Sequence, residues 1–367
     1  MFFSFTIFFY SFIFSLYSSM PSNLNFSFNF GVILLATLIL LLITGFLSVL
    51  FYSNNLELSF STLILGGYNK FNYFFLRVMH NTLANMFFIF IYFHIVKSWF
   101  YTSNNNMLVL LIGIVIYFIS CAIAFFGYCL PMGQMWYWAA IVIFSLLSIL
   151  PYGNLIILYL FGSFSISSRT LSILFFLHFL SPLILTILVG LHLLKLHWSL
   201  SSTTWDFLDL VYFYPYYLII DLFIVSFYAF IVILVIFFFW FYFFESANFL
   251  AFNSLVTPLH IYPDWFLLFP YACLRWIDSK LIGVFLLIFI ILNQFTLPVI
   301  ASYFKLFHFS ILNILMVCMF ILLTFFGWYP SVYPFDYYVV IFQFVTYIIA
   351  FLFLSLYLFK FILFWTL

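Results

Sequence analysis

The chain is 367 residues long, 69% hydrophobic and 5% charged, with a mean hydropathy of +1.32. A soluble domain carries roughly 25% charged residues, so this composition excludes a water-soluble globular protein and makes the chain an integral membrane protein. The formal net charge of +1 implies no nucleic-acid partner.

The first element is "FFSFTIFFYSFIFSL" at 2–16, shorter than a full span and without a basic lead-in. It predicts an interfacial helix rather than a cleaved signal. Beyond it, long charge-free runs mark the spans, such as those between Arg77 and Lys97 or Asp221 and Glu245. Crossing a bilayer takes about 20 apolar residues as a helix, and a helix satisfies its own backbone where water is absent. The expected fold is all-α and integral to the membrane, with eight transmembrane helices. They are A to H, at about 29–52, 75–100, 107–128, 171–197, 218–243, 281–303, 309–329 and 337–362. The first four are expected to form a bundle within an N-terminal region 1–215, and helices E to H a C-terminal region 216–367. The connecting pieces, among them "SNNN" at 103–106, "LPMGQ" at 130–134 and "NSLVTPLHIYPDW" at 253–265, are too short for a soluble domain. Lys and Arg fall almost evenly on both sides, so the positive-inside rule does not orient the chain. Cys121, Cys129, Cys273 and Cys318 have no metal or disulfide spacing and read as bland thiols. The 62 Phe point to T-rich codons, as in an organellar gene.

Ionisable groups within spans are costly and mark function by default. Helix B carries His80 and His94, and helix D carries His178 and His192; each pair is separated by fourteen residues. Fourteen residues are close to four turns, so both rings of a pair leave the same helix face about 21 Å apart. Alternating topology makes B and D run the same way, which sets His80 level with His178 and His94 level with His192. Two bis-imidazole sites result, one near each membrane face, suited to two haems in low-spin electron transfer. A lone intramembrane histidine would more simply hydrogen-bond a neighbouring helix, but two equal pairs argue against that. Gly31 and Gly45 on helix A, and Gly113 and Gly127 on helix C, repeat the fourteen-residue period. They are expected to admit the edges of flat rings, since glycine permits close approach.

These motifs resemble the cytochrome b family, the haem-bearing core of quinol–cytochrome c oxidoreductase (the cytochrome bc complex). The likeness runs from about Pro21 to the C-terminus. It is carried by "PSNLNFSFNFG" at 21–31, "RVMHNTLANMFFIFIYFH" at 77–94 and "GYCLPMGQMWYW" at 127–138, with "FFLHFLSPL" at 175–183, "HLLKLH" at 192–197 and "PDWFLLFPYACLR" at 263–275. The resemblance implies that ubiquinol is oxidised on the intermembrane-space side of the mitochondrial inner membrane. One electron goes to the Rieske iron–sulfur protein and on through cytochrome c1, and the other crosses two haems b to reduce ubiquinone on the matrix side. His80 and His178 would hold the low-potential haem, and His94 and His192 the high-potential one. Arg77 and Lys97 would face haem propionates, though cations at helix ends also snorkel to the interface. Asp264, Tyr128 and Tyr271 would form the quinol-oxidation site with "PMGQ" as a further wall; more plainly, Asp264 would only open a short helix. His197, Asp221 and Ser201 would form the quinone-reduction site. His197, five residues after His192, faces elsewhere and is not a third ligand. The complex would be a homodimer, and His260 and His308 match no family site.

The chain departs from the family pattern at several places. Asp264 replaces a glutamate, Met132 a tryptophan, Ile173 an arginine and Ile220 a lysine, and "HNTLAN" lacks a glycine. A proton-channel subunit would instead need charged groups within facing spans. A di-haem anchor of another quinone-linked oxidoreductase would explain the histidines but not "GYCLPMGQ" or "PDWF".

Overall fold

A computed structural model of the chain describes residues 17, 19–22, 24–66, 71–101, 107–199, 210–275, 279–285, 287–288 and 309–328. The expected N-terminal helix, most of helix F, all of helix H, His308 and Ser201 lie outside the described residues. Among the described residues, five helices are long and apolar enough to cross a membrane: Phe26–Val49, Tyr73–Phe100, Leu108–Cys129, Ser168–His197 and Phe213–Phe238. They coincide with helices A to E. The chain divides into two units, one drawing on 1–53, 61–124 and 178–244, the other on 54–60, 125–177 and 245–367.

In the first unit, β1 (Ser19–Pro21) pairs antiparallel with β2 (Leu210–Tyr212), a small strand pair that the all-α expectation omits. A 3-10 turn at Phe26–Asn29 leads into α1 (Phe30–Val49), with the Asn25 side chain accepting from Ser27 N at 3.1 Å. That bond satisfies a donor the helix start would otherwise strand. Helix α2 (Phe71–Tyr101) has 31 residues, about 46 Å of helix, longer than the roughly 30 Å hydrocarbon layer. Arg77 and Lys97 lie twenty residues apart on it, about 30 Å, so the layer fits between the two cations. Helix α3 (Met107–Cys129) follows.

Helix α6 (Ser168–Ser199) has Pro182 inside it. Proline has no N–H, so the His178 carbonyl four residues earlier loses its helical donor there. Helix α7 (Leu218–Phe238) buries Ile224, Tyr228, Val232 and Ile236, a stripe at every fourth residue that lies on one helix face. That stripe packs with Ile33 of α1 and with Val78, Leu83 and Met86 of α2. Thr37 Oγ1 lies 2.8 Å from the Tyr228 hydroxyl inside this core. Helix E, grouped by sequence with the C-terminal helices, thus shares a core with A and B.

The second unit holds two helices that the sequence reading does not place, α4 (Gln134–Leu147) and α5 (Gly153–Phe161). Both lie in the charge-free run from Lys97 to Arg169, where no charge marks a boundary, and both are too short to span. Rings of Phe144 and Phe161 close the pair at 4.4 Å. Helix α8 (Leu268–Arg275) packs on α9 (Phe309–Trp328) through Phe269 and Phe320, 5.1 Å apart. A Cβ at Gly327 would sit 2.1 Å from the Leu268 carbonyl oxygen, so only glycine permits this approach.

Candidate functional site

The His80 and His178 ring centroids lie 6.2 Å apart with planes crossed at 84°, and those of His94 and His192 lie 6.3 Å apart with planes crossed at 64°. The pairing follows from the sequence: α2 and α6 are both unbroken across their fourteen-residue intervals, so matching one pair matches the other. A metal bonded to two imidazole nitrogens at about 2 Å each, with each ring centre a little over an ångström behind its nitrogen, requires centroids about 6 Å apart. Both pairs meet that spacing, so the residues present fit a metal macrocycle held between two imidazoles at each level.

The ring nitrogens that would not face a metal differ between the levels. His80 Nδ1 lies 2.9 Å from Thr44 Oγ1, and His178 Nδ1 lies 2.9 Å from the Ile123 carbonyl oxygen. His94 Nδ1 is buried with no hydrogen-bond partner among the described residues, whereas the Val109 carbonyl lies beside His192, whose Nδ1 is also buried.

Three of the four periodic glycines stand against these rings. A Cβ at Gly45 would lie 3.2 Å from His80 Cε1, one at Gly113 3.4 Å from His192 Cε1, and one at Gly31 3.7 Å from His94 Cε1. The sequence reading sets a macrocycle edge on these glycines, and the structure sets an imidazole beside three of them. Gly127 lies near the end of α3, where its carbonyl accepts from Leu130 N at 3.2 Å. Arg77 stacks over Phe244 at 5.2 Å, and Lys97 Nζ lies 3.7 Å from the Phe28 ring centre. Both cations are therefore anchored on aromatic faces.

Asp264 precedes a short 3-10 helix, Trp265–Leu267, and its backbone carbonyl accepts from Leu267 N at 2.8 Å. Its carboxyl makes no capping bond, so the helix-opening reading accounts for the backbone and not for the side chain. The Tyr128 hydroxyl donates to that carboxyl, and Oδ2 is buried with no hydrogen-bond partner among the described residues. Burial pushes the Asp264 carboxyl up to about 8, aided by the nearby Glu245 charge and opposed by the Tyr128 bond. Tyr128 is itself fixed by stacking on Trp136 at 4.7 Å, with Phe266 at 5.8 Å. The Tyr271 hydroxyl donates to the Ile261 carbonyl at 2.7 Å, which commits it to the loop backbone. Burial pushes Tyr262 up to about 12, with a bond to Glu245 adding to it.

The "PMGQ" segment is laced to the loop before Asp264. Gln134 N donates to the Leu250 carbonyl, Gln134 Nε2 to the Val256 carbonyl at 2.7 Å, and Asn253 N to Gln134 Oε1 at 2.6 Å. Met132 adopts φ of 52° and is buried. A Cβ on Gly133 would meet Asn248 at 2.7 Å.

Asp221 lies in the first turn of α7, and its partner is Asn29, whose Nδ2 donates to Oδ1 at 2.5 Å. His197 sits in the last turn of α6. Sequence reasoning misses Thr44, Asn29, Glu245 and Tyr262. A threonine directly before a period-matched glycine is a usable signal for Thr44; the others meet their partners only through tertiary packing.

Two family models match the chain, "Cytochrome b/b6/petB" over residues 15–200 and "Cytochrome b(C-terminal)/b6/petD" over residues 251–351. A protein named cytochrome b from Brachionus plicatilis is 38% identical over 291 residues, 77% of this chain and 76% of that protein. Another from Apis mellifera ligustica is 37% identical over 331 residues, 88% of this chain and 86% of that protein. A chain of a solved hyperthermophilic respiratory Complex III superposes with a TM-score of 0.82 at 27% identity, covering 94% of this chain and 93% of that one.

Proposed function

The chain belongs to the cytochrome b family and serves electron transport within a respiratory cytochrome bc complex, and from that premise we propose a two-haem, two-quinone-site mechanism for it. His80 with His178, and His94 with His192, each hold one haem b through facing imidazole nitrogens. When bound, the haems supply one-electron carriers at two depths of the membrane. Thr44 and the Ile123 carbonyl keep the first pair of rings turned so that Nε2 faces inward. Arg77 and Lys97, at the two ends of α2, offer positive charge at propionate depth.

Ubiquinol is oxidised beside Asp264. Its Oδ2 is the acceptor for a hydroxyl proton once the carboxyl is ionised, and Tyr128 orients the group. Tyr271 shapes the loop rather than exchanging protons. Ubiquinone is reduced near Asp221 and His197 with Ser201 flanking them, Asn29 holding the Asp221 carboxylate in place. The working unit is a homodimer of the complex, with the Rieske iron–sulfur protein and cytochrome c1 as partners. It sits in the mitochondrial inner membrane, encoded in the organelle.

The observation that carries this reading is the pair of ring separations, 6.2 and 6.3 Å, on a fourteen-residue repeat. A reduced-minus-oxidised spectrum with haem stoichiometry tests it. Two haems b per chain are expected; one or none overturns the reading.

A further inference from the structure

Thr44 lies on α1 and is buried at 3% exposure. Its Oγ1 is 2.8 Å from the Leu40 carbonyl oxygen, 3.2 Å from that of Leu41 and 2.9 Å from His80 Nδ1. A hydroxyl has one proton and two lone pairs. When His80 Nε2 binds a metal, the ring hydrogen sits on Nδ1, so the ring donates to Thr44 Oγ1 and Thr44 gives its own proton to an α1 carbonyl. The next residue, Gly45, lets the ring lie against α1, so one dipeptide sets both how close the imidazole comes and which way it is turned. On the facing ring, the Ile123 carbonyl 2.9 Å from His178 Nδ1 enforces the same tautomer.

A ligand imidazole that donates its outer N–H becomes a stronger electron donor to its metal, which favours the oxidised over the reduced iron. At the other level His94 Nδ1 has no such acceptor among the described residues, so at least one of its two rings lacks this support, while the Val109 carbonyl lies beside His192. Resting on the two-haem reading above, we propose that Thr44 is a positioning residue for His80 and lowers the midpoint potential of the haem held by His80 and His178 relative to the other.

The test uses the assembled complex carrying Thr44→Val, which keeps the side-chain shape without the hydroxyl, and Thr44→Ser, which keeps the hydroxyl. Haem content is counted first in the wild type, because one haem or none there sinks the two-haem reading itself and not merely this proposal. Potentiometry of both haems then decides. Thr44→Val should raise the lower midpoint alone, by about a tenfold change in the oxidised-to-reduced ratio, about 59 mV for one electron, and Thr44→Ser should restore it. If Thr44→Val loses the low-potential haem while Thr44→Ser keeps it, the positioning role also stands. An unmoved lower midpoint with both haems retained, an equal shift of both midpoints, or Ser behaving as Val overturns it. A measurement on the wild type is independent of folding: pulsed EPR of the outer ring nitrogens should resolve a strongly and a weakly hydrogen-bonded class. One uniform class overturns the proposal.

Discussion

Asn29 donates to the Asp221 carboxylate over 2.5 Å, joining the start of α1 to the first turn of α7. The two are 192 residues apart in sequence. Where the family pattern puts a lysine beside this aspartate, the chain has Ile220, so a neutral amide does the holding. A hydrogen bond to a charged group contributes about 1.5–3 kcal/mol, which corresponds to roughly tenfold or more in a rate that needs the carboxylate placed. Asn29→Leu should therefore slow reoxidation of the high-potential haem by quinone about tenfold with both haems retained. The measurement is single-turnover reoxidation with the oxidation site blocked, and a wild-type rate removes Asn29 from the site.

Asp264 gives a pH dependence with a definite sign. Its carboxyl is pushed up to about 8, so below that pH it holds its proton and cannot accept one from quinol. Turnover at saturating quinol should rise as pH increases through about 8. In Asp264→Asn the rate should fall several-fold and that rising limb should vanish, while both haems remain reducible through the other quinone site. Cytochrome c reduction measured from pH 6 to 9 checks this; a variant with the wild-type profile leaves Asp264 a backbone role only.

His94 and His192 stand with ring centroids 6.3 Å apart and are proposed to share one haem. His94→Leu should halve the haem content and leave the His80 and His178 haem with its own potential. Pyridine haemochrome spectra give the count, and loss of both haems or of neither contradicts the assignment.

The glycines predict a graded series. Alanine at Gly45 brings a methyl to 3.2 Å from His80, at Gly113 to 3.4 Å from His192, and at Gly31 to 3.7 Å from His94. The first is tighter than ordinary van der Waals contact and the last is not. Haem retention should fall in the order Gly31→Ala, Gly113→Ala, Gly45→Ala, with the last also shifting the low-potential spectrum. Equal retention in all three would mean the rings move freely away from α1 and α3.

The histidine pairs were legible in the sequence because helix periodicity alone brings residues fourteen apart onto one face, and nothing later in folding can undo it. The same period exposed Gly31, Gly45 and Gly113. It could not say that each glycine faces an imidazole, since that depends on where α1 and α3 sit around α2 and α6. Asn29 escaped because its partner lies on another helix and leaves no spacing to read, while Thr44 is marked only by its place directly before Gly45. Helices α4 and α5 escaped because a stretch without charges offers no boundary. For Asp264, sequence identified the residue, but its raised proton affinity comes from burial, which no local pattern encodes.

The fourteen-residue interval on the unbroken α2 also has an electrical meaning. About 21 Å of helix is roughly two thirds of a hydrocarbon layer about 30 Å thick. A unit charge crossing the whole layer against 100 mV does about 2.3 kcal/mol of work, so an electron passing from the level of His80 to that of His94 does about 1.6 kcal/mol of it. Directed towards the negative side, that passage charges the membrane without any proton moving along the same path. Each helical turn removed from the interval would surrender about 5.4 Å, and with it about a quarter of the voltage-coupled work. On the proposed two-haem path, the distance between two histidines on one helix thus sets how strongly a standing membrane voltage holds back electron flow.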